Sequence, residues 1–138
     1  MTEDFGSKKD IIVYRIEKAK RTYIEAVDNA NLNHWSLAAN RLYYSLFHVI
    51  SAVLLDKGIH FKSHAGAIRA IGLHFVSKGL LTAEEGKLIS RLQNMRSSGD
   101  YDDLFDWTEA DVMPIFSPTK DLMKKICGFI TSVRVDIG

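Results

Sequence analysis

Arg96, Asp100 and Tyr101 stand close together in the chain and have side chains suited to phosphate chemistry. Asp100 follows Arg96 by one helical turn, so the pair is in reach if the turn persists. A guanidinium fits phosphate because its planar fork donates parallel hydrogen bonds, and Tyr101 adds a hydroxyl beside the pair. The plainer reading of such spacing is an ion pair of small energetic weight. Gly99 lets the backbone leave the helix, which would put all three side chains at a helix terminus beside a loop.

A second set is Arg41, Tyr44, Ser45 and His48. At a helical repeat of about 100° per residue these share one stripe, while Leu42, Leu46, Val49, Ile50 and Val53 cover a broad apolar arc. A mostly apolar helix with one polar stripe needs partners for that stripe, because unpaired buried polar groups are costly. The stripe is therefore either a solvent face or structural hydrogen-bond network, or the lining of a cleft or subunit interface. His60 and His64 are four apart, a spacing compatible with a metal on one helix. Ser63 caps the following helix, however, leaving His60 in a loop, and no carboxylate accompanies them. No metal or cofactor is expected. The loop with Asp100, Asp102, Asp103 and Asp106 lacks the ligand order of a calcium loop, and no phosphate-binding glycine loop or HExxH motif occurs.

These side chains need helices to hold them, and the sequence predicts five. The first runs from about Ser7 to Asn29, with Ser7 as cap and Ile12, Ile16, Ala19, Tyr23 and Val27 at helical spacing. The second runs from about Asn33 to Lys57, closed by Gly58. The third begins near Ser63 and ends before Gly79. The fourth opens with Thr82 and Glu85 as a capping box and runs to about Ser98. The last starts at Thr108 with Asp111 as a weaker box. Pro114 and Pro118 each remove an amide donor, so the expectation is a restart with Ser117 as cap, the long part running from Pro118 to about Arg134. Short loops between long helices predict an all-α antiparallel bundle of four to five helices, in one domain spanning residues 1–138 with its core at about 7–134.

The bulk numbers narrow the function classes. The chain has 138 residues, 46% hydrophobic and 25% charged, which is ordinary for one globular domain. A net charge of +1 argues against a protein held on nucleic acid by bulk charge, though not against a local arginine site. Cys127 is the only cysteine, which leaves no internal disulfide and no cysteine-based zinc site. The polar stretch Met1–Lys9 has no signal-type apolar run after it, and Ser45, His48 and Ser51 interrupt the most apolar stretch. No membrane association and a cytoplasmic location are expected.

Arg41-Leu-Tyr-Tyr-Ser-Leu-Phe-His48, Leu54-Leu55 with Lys57-Gly58, Ser63-His64, Phe75, Lys78-Gly79-Leu80-Leu81 and Arg96-Ser-Ser-Gly-Asp100-Tyr101 occur in that order. As a set they resemble the HEPN family (higher eukaryote and prokaryote nucleotide-binding), in the branch of small bacterial proteins carrying Arg-x-x-x-Asp-Tyr. The resemblance covers about Lys18 to Val133. It implies a four- or five-helix bundle, commonly a homodimer with its site between protomers. It also implies a toxin–antitoxin-like pairing with a minimal nucleotidyltransferase, and metal-independent cleavage of RNA in many members. In those nucleases an Arg a few positions before a His marks the site. Arg96 matches the Arg, but Asp100 and Tyr101 stand where the His would be.

Two functions follow. In the first, Arg96 binds an RNA or nucleotide phosphate, with Asp100 and Tyr101 beside it and Arg41, Tyr44, Ser45, His48 and His64 in support. Ribonuclease activity would then need His48 or His64 brought near Arg96 by the fold. In the second, the protein is a non-catalytic dimeric interaction or nucleotide-binding module and Arg96–Asp100 is a structural bridge. A metal-dependent four-helix-bundle enzyme would need inward carboxylates and Glu-x-x-His pairs, which the sequence lacks.

Overall fold

The structure is a computed structural model describing residues 7–101 and 106–138; for residues 97–101 the backbone alone is described. The order of elements is α1 (Lys8–Asn31), α2 (Trp35–Asp56), α3 (His64–Ile71), a π-helical turn (Gly72–Val76), α4 (Ala83–Tyr101) and α5 (Glu109–Cys127). No strand occurs among the described residues. The all-α bundle expected from the sequence is the fold observed.

Local chemistry sets most of the boundaries. Ser7 accepts a hydrogen bond from the Asp10 amide at the start of α1, and Ser63 accepts one from the Gly66 amide at the start of α3. Thr82 and Glu85 satisfy each other's amides at 2.7 and 3.1 Å, and Thr108 and Asp111 form the same reciprocal box ahead of α5. The C-terminal ends are equally specific. Gly58 (φ +71°) and Gly79 (φ +79°) take the left-handed conformation. Around each, amides bond back across the last turn: Gly58 to Leu55 and Ile59 to Leu54, Gly79 to Val76 and Leu80 to Phe75. Asn33 (φ 62°) closes α1 in the same way, a conformation that asparagine tolerates better than most residues.

Helix α2 is the centre of the bundle. Its partners along α1 are Glu25 for Arg41, Ala19 for Ser45 and Arg15 for Ser51, so α1 runs antiparallel to it. Arg96, near the C-terminal end of α4, meets Tyr44, and Trp107, which follows that helix and donates back to its Met95 carbonyl, meets Ser36 at the start of α2, so the C-terminal end of α4 lies against the N-terminal half of α2. Alanines 19, 26 and 30 of α1 and 38, 39 and 52 of α2 are buried and leave room for the close approach of the hairpin. Ile12, Ile16, Leu42, Leu46, Ile50, Ile89, Leu92 and Ile126 fill the interior, each such side chain contributing about 1.5–3 kcal/mol by burial.

Three expectations are corrected. Helix α4 does not end at Ser98; its backbone continues through Gly99 to Tyr101, so that glycine is no exit. Helix α5 does not restart at Pro118 but runs unbroken through both prolines. Pro114 and Pro118 lie four apart on its exposed face, where the carbonyls that lose a helical amide can meet water. Val112, Ile115, Thr119, Leu122 and Ile126 hold the opposite face in the core. The last helix also stops at Cys127 rather than near Arg134. Gly128 follows, and the buried Asp56 carboxylate then takes the Thr131 and Ser132 amides at 3.2 and 3.0 Å, which draws the chain away from a helical path.

Candidate functional site

The polar stripe of α2 faces α1 on one side and α4 on the other. Arg96, near the C-terminal end of α4, donates from Nη2 to the Tyr44 hydroxyl at 2.9 Å, and its guanidinium carbon lies 5.5 Å from the centre of the Tyr44 ring. Arg41, on the turn of α2 before Tyr44, has its guanidinium 5.1 Å from the same ring. One phenol thus gathers two guanidiniums, a cation–π arrangement on its ring and a charged hydrogen bond on its hydroxyl.

His64, the first residue of α3, is placed with unusual care for a half-buried side chain. Its ring stacks on Phe47 at 3.9 Å and 6° and meets Tyr44 edge-on at 5.6 Å. Its Nδ1 shares a 2.8 Å hydrogen bond with the hydroxyl of the buried Tyr43. Burial raises the Tyr43 pKa to about 12, so that phenol stays protonated at neutral pH. Burial, and then the positive charge of Arg96, push the His64 pKa down. Both effects favour the uncharged imidazole, and in the tautomer whose Nδ1–H donates to the Tyr43 oxygen, Nε2 is free to accept a proton from a group that approaches Arg96.

His48 lies one turn beyond Tyr44, in a cleft of about 440 Å³ between α1 and α2. Lys18, Arg21 and Glu25 of α1 and Arg41 and Tyr44 of α2 line it too. The His48 pKa is lowered to about 4, first by burial and then by Lys18, Arg41, Arg15 and His64. Burial is the main cause of the depression, and the neighbouring cations add to it.

The structure thus brings Arg41, Tyr44, His48, His64 and Arg96 together, and the condition that a histidine sit near Arg96 is met by His64. Ser45 does not join them. It is fully buried, its hydroxyl donates to the Ala19 carbonyl at 2.8 Å and lies 3.4 Å from the Met123 sulfur, so it pins α2 to α1 and α5. The side chains of Asp100 and Tyr101 lie outside the described residues. Three contributors were missed in the sequence: Lys18 and Arg21 on α1, and Tyr43, which holds His64. Arg15, Lys18, Thr22 and Glu25 recur on one face of the first helix, and that spacing could have drawn attention to its polar side. Tyr43 carries no such signal, since a tyrosine on an apolar arc reads as core. A larger cleft of about 680 Å³ lies between α3 and α4, but among the described residues no histidine or carboxylate lines it.

Residues 12–130 match the family model of the HEPN domain. The chain belongs to the HEPN family. A UPF0332 protein of Thermotoga maritima is 35% identical to this HEPN domain over 133 residues, covering 94% of this chain and 92% of the relative. Two Methanocaldococcus jannaschii proteins carry the names "Putative toxin MJ0605" and "Putative toxin MJ0142". The first is 41% identical over 64 residues, 46% of this chain and 48% of its own. The second is 35% identical over 88 residues, 63% of this chain and 59% of its own. The HEPN domain described here therefore spans about half the length of each of those two. No helix among its described residues is long and apolar enough to cross a membrane.

Proposed function

We propose that this HEPN domain is the toxin-like member of a pair with a minimal nucleotidyltransferase, and that Arg96 binds a phosphate of RNA. The observation that carries the reading is the joint placement of Arg96 and a neutral His64 around Tyr44. Cleavage of RNA without metal needs a base for the 2′-hydroxyl, positive charge on the phosphate and a proton for the leaving 5′-oxygen, which solvent water can give. His64 supplies the first, with Nδ1 engaged by Tyr43 and its ring held against Phe47. Arg96 supplies the second. The names of the two M. jannaschii relatives support a toxin-like role. Asp100 and Tyr101, one turn beyond Arg96 in the sequence, complete the set, and the Tyr101 hydroxyl is the proposed acceptor when the partner transfers AMP from ATP, the phenol oxygen bonding the α-phosphorus as the α–β anhydride breaks, pyrophosphate leaves and the phenol proton passes to solvent.

The test is RNA cleavage by purified protein in EDTA, wild type beside Arg96→Ala and His64→Ala, with circular dichroism to show that all three are folded. Cleavage by wild type alone supports the reading. Equal cleavage by either variant removes that residue from it. For the partner, mixing with the nucleotidyltransferase and ATP is expected to add mass in multiples of AMP, and Tyr101→Phe to prevent it.

One observation favours a second reading. The Arg96 bond to Tyr44 ties α4 to α2 within one chain, as a structural residue would. In that case the protein is a dimeric interaction module, and Arg96→Ala costs stability or assembly while abolishing no activity.

A further inference from the structure

The Tyr44 ring has Arg96 at 5.5 Å and Arg41 at 5.1 Å, and Lys18 and Arg21 of α1 line the cleft on the Arg41 side. Neither Lys18 nor Arg21 makes an ion pair among the described residues; the Lys18 ammonium rests 5.9 Å from the Tyr14 ring. Cations gathered at this spacing repel one another unless an anion lies among them. Among the described residues Glu25 is the one carboxylate lining the cleft, and it meets Arg41 Nη1 at 3.3 Å.

The way Arg41 is held makes that contact informative. Asn40 Oδ1 accepts from Arg41 Nε at 3.0 Å and from Nη2 at 2.8 Å, so one edge of the guanidinium is fixed and Nη1 is presented to the cleft. Glu25 is more than half exposed, at 55%, and Arg41 is 35% exposed. An ion pair of this kind is worth little and exchanges readily. Its carboxylate oxygen stands where a phosphate oxygen would accept from the same donor.

We infer that the α1–α2 cleft is a second phosphate subsite, so that single-stranded RNA crosses Tyr44 with one phosphodiester on Arg96 and a neighbouring one on Arg41, Lys18 and Arg21. Glu25 occupies Arg41 while the cleft is empty and swings out when the backbone enters. The inference rests on the reading of Arg96 as a phosphate site and extends it from a single phosphate to a stretch of backbone. An aromatic ring within a basic groove is the arrangement by which single strands are held without base readout.

The experiment uses an end-labelled single-stranded ten-mer of 2′-O-methyl RNA, which lacks the hydroxyl needed for cleavage, and follows its anisotropy across a KCl series. Arg41→Ala is expected to weaken binding about tenfold and to flatten the log–log salt slope by about 0.7, one phosphate contact on a single strand. Glu25→Gln is expected to tighten binding about two- to fivefold, the range of one exposed ion pair. That gain cannot come from misfolding, which guards the loss seen with Arg41→Ala. If Arg96→Ala abolishes binding while Arg41→Ala and Glu25→Gln bind as wild type does, the second subsite is overturned and the Arg96 reading stands. If the wild type does not bind the ten-mer, both are overturned.

Discussion

The two ends of α2 treat charge in opposite ways. At its C-terminal end the Asp56 carboxylate is buried and fully engaged. It accepts from the Thr131 and Ser132 amides and the Ser132 hydroxyl, and Lys57 Nζ stands 3.1 Å away. Although burial alone would raise it, these hydrogen bonds hold its pKa down at about 2. Two turns toward the other end, His48 shares its cleft with Lys18, Arg21 and Arg41 and, among the described residues, with a single carboxylate, Glu25, which Arg41 engages. A polar group whose partners balance it is an anchor. A set of cations that outnumbers its carboxylates is a candidate site for an anion from outside. One helix thus carries a structural polar cluster and the proposed phosphate site, separated by the buried residues Val49 to Leu54.

Removing the anchor should give the largest effect. Asp56→Ala leaves two amides in a part-buried segment without their acceptor and is expected to destabilise the fold by about 3 kcal/mol, read by urea unfolding, with RNA affinity of the folded protein unchanged. A loss under about 1 kcal/mol would mean that the carboxylate is an ordinary surface group, and the contrast between the two ends would collapse.

Acid separates the two clusters by their windows. The His48 pKa is about 4 in the folded protein, below the ordinary value of about 6.5, so between these pH values the unfolded chain binds more protons. Its contribution is present above pH 6.5 and is lost as pH falls toward 4. His64 is shifted the same way. Asp56, depressed to about 2, contributes above the usual carboxylate range and is lost only as pH falls through its folded pKa. Stability is thus expected to fall in two steps. The first is about 2 kcal/mol, allowing for solvent at a half-buried ring, and His48→Gln should remove most of it while leaving the second. A single acid transition unaffected by His48→Gln would contradict the assignment.

The smallest effect is expected at Tyr44. Tyr44→Phe keeps the ring under both guanidiniums and deletes only the acceptor of the 2.9 Å bond from Arg96. A cost of about 1 kcal/mol is expected, with RNA binding weakened a few-fold as Arg96 loses its tether. An unchanged affinity would mean that Arg96 is positioned by something other than Tyr44.

How much of this was legible beforehand depends on the range of the interactions. Ser7, Ser63, Thr82 with Glu85, Thr108 with Asp111, and Gly58 act on their own helix ends, so their spacing alone announced the elements. The polar stripe of α2 was legible for the same reason, and so was Arg96 as a phosphate-suited group at the end of a helix. The failures lie where distant segments decide. Asp56 captures amides that are 75 and 76 residues away, and nothing near Arg134 betrays that the helix has already ended. The prolines of α5 stay helical because the opposite face is needed in the core, which their own residue type does not announce. Ser45 shared the angle of the stripe, yet the tilt of α2 against α1 and α5 buries it, so angular position alone overstates a site.

The most direct test of the central claim, that one end of α2 is built to take an RNA phosphate, is to follow the His48 and His64 rings by NMR through a pH titration with and without the uncleavable ten-mer. The account predicts that His48 titrates near pH 4 in the free protein, that His64 titrates below its ordinary value, and that RNA moves both upward as phosphate charge offsets the surrounding cations. Titrations that stay in place with the RNA bound would contradict it.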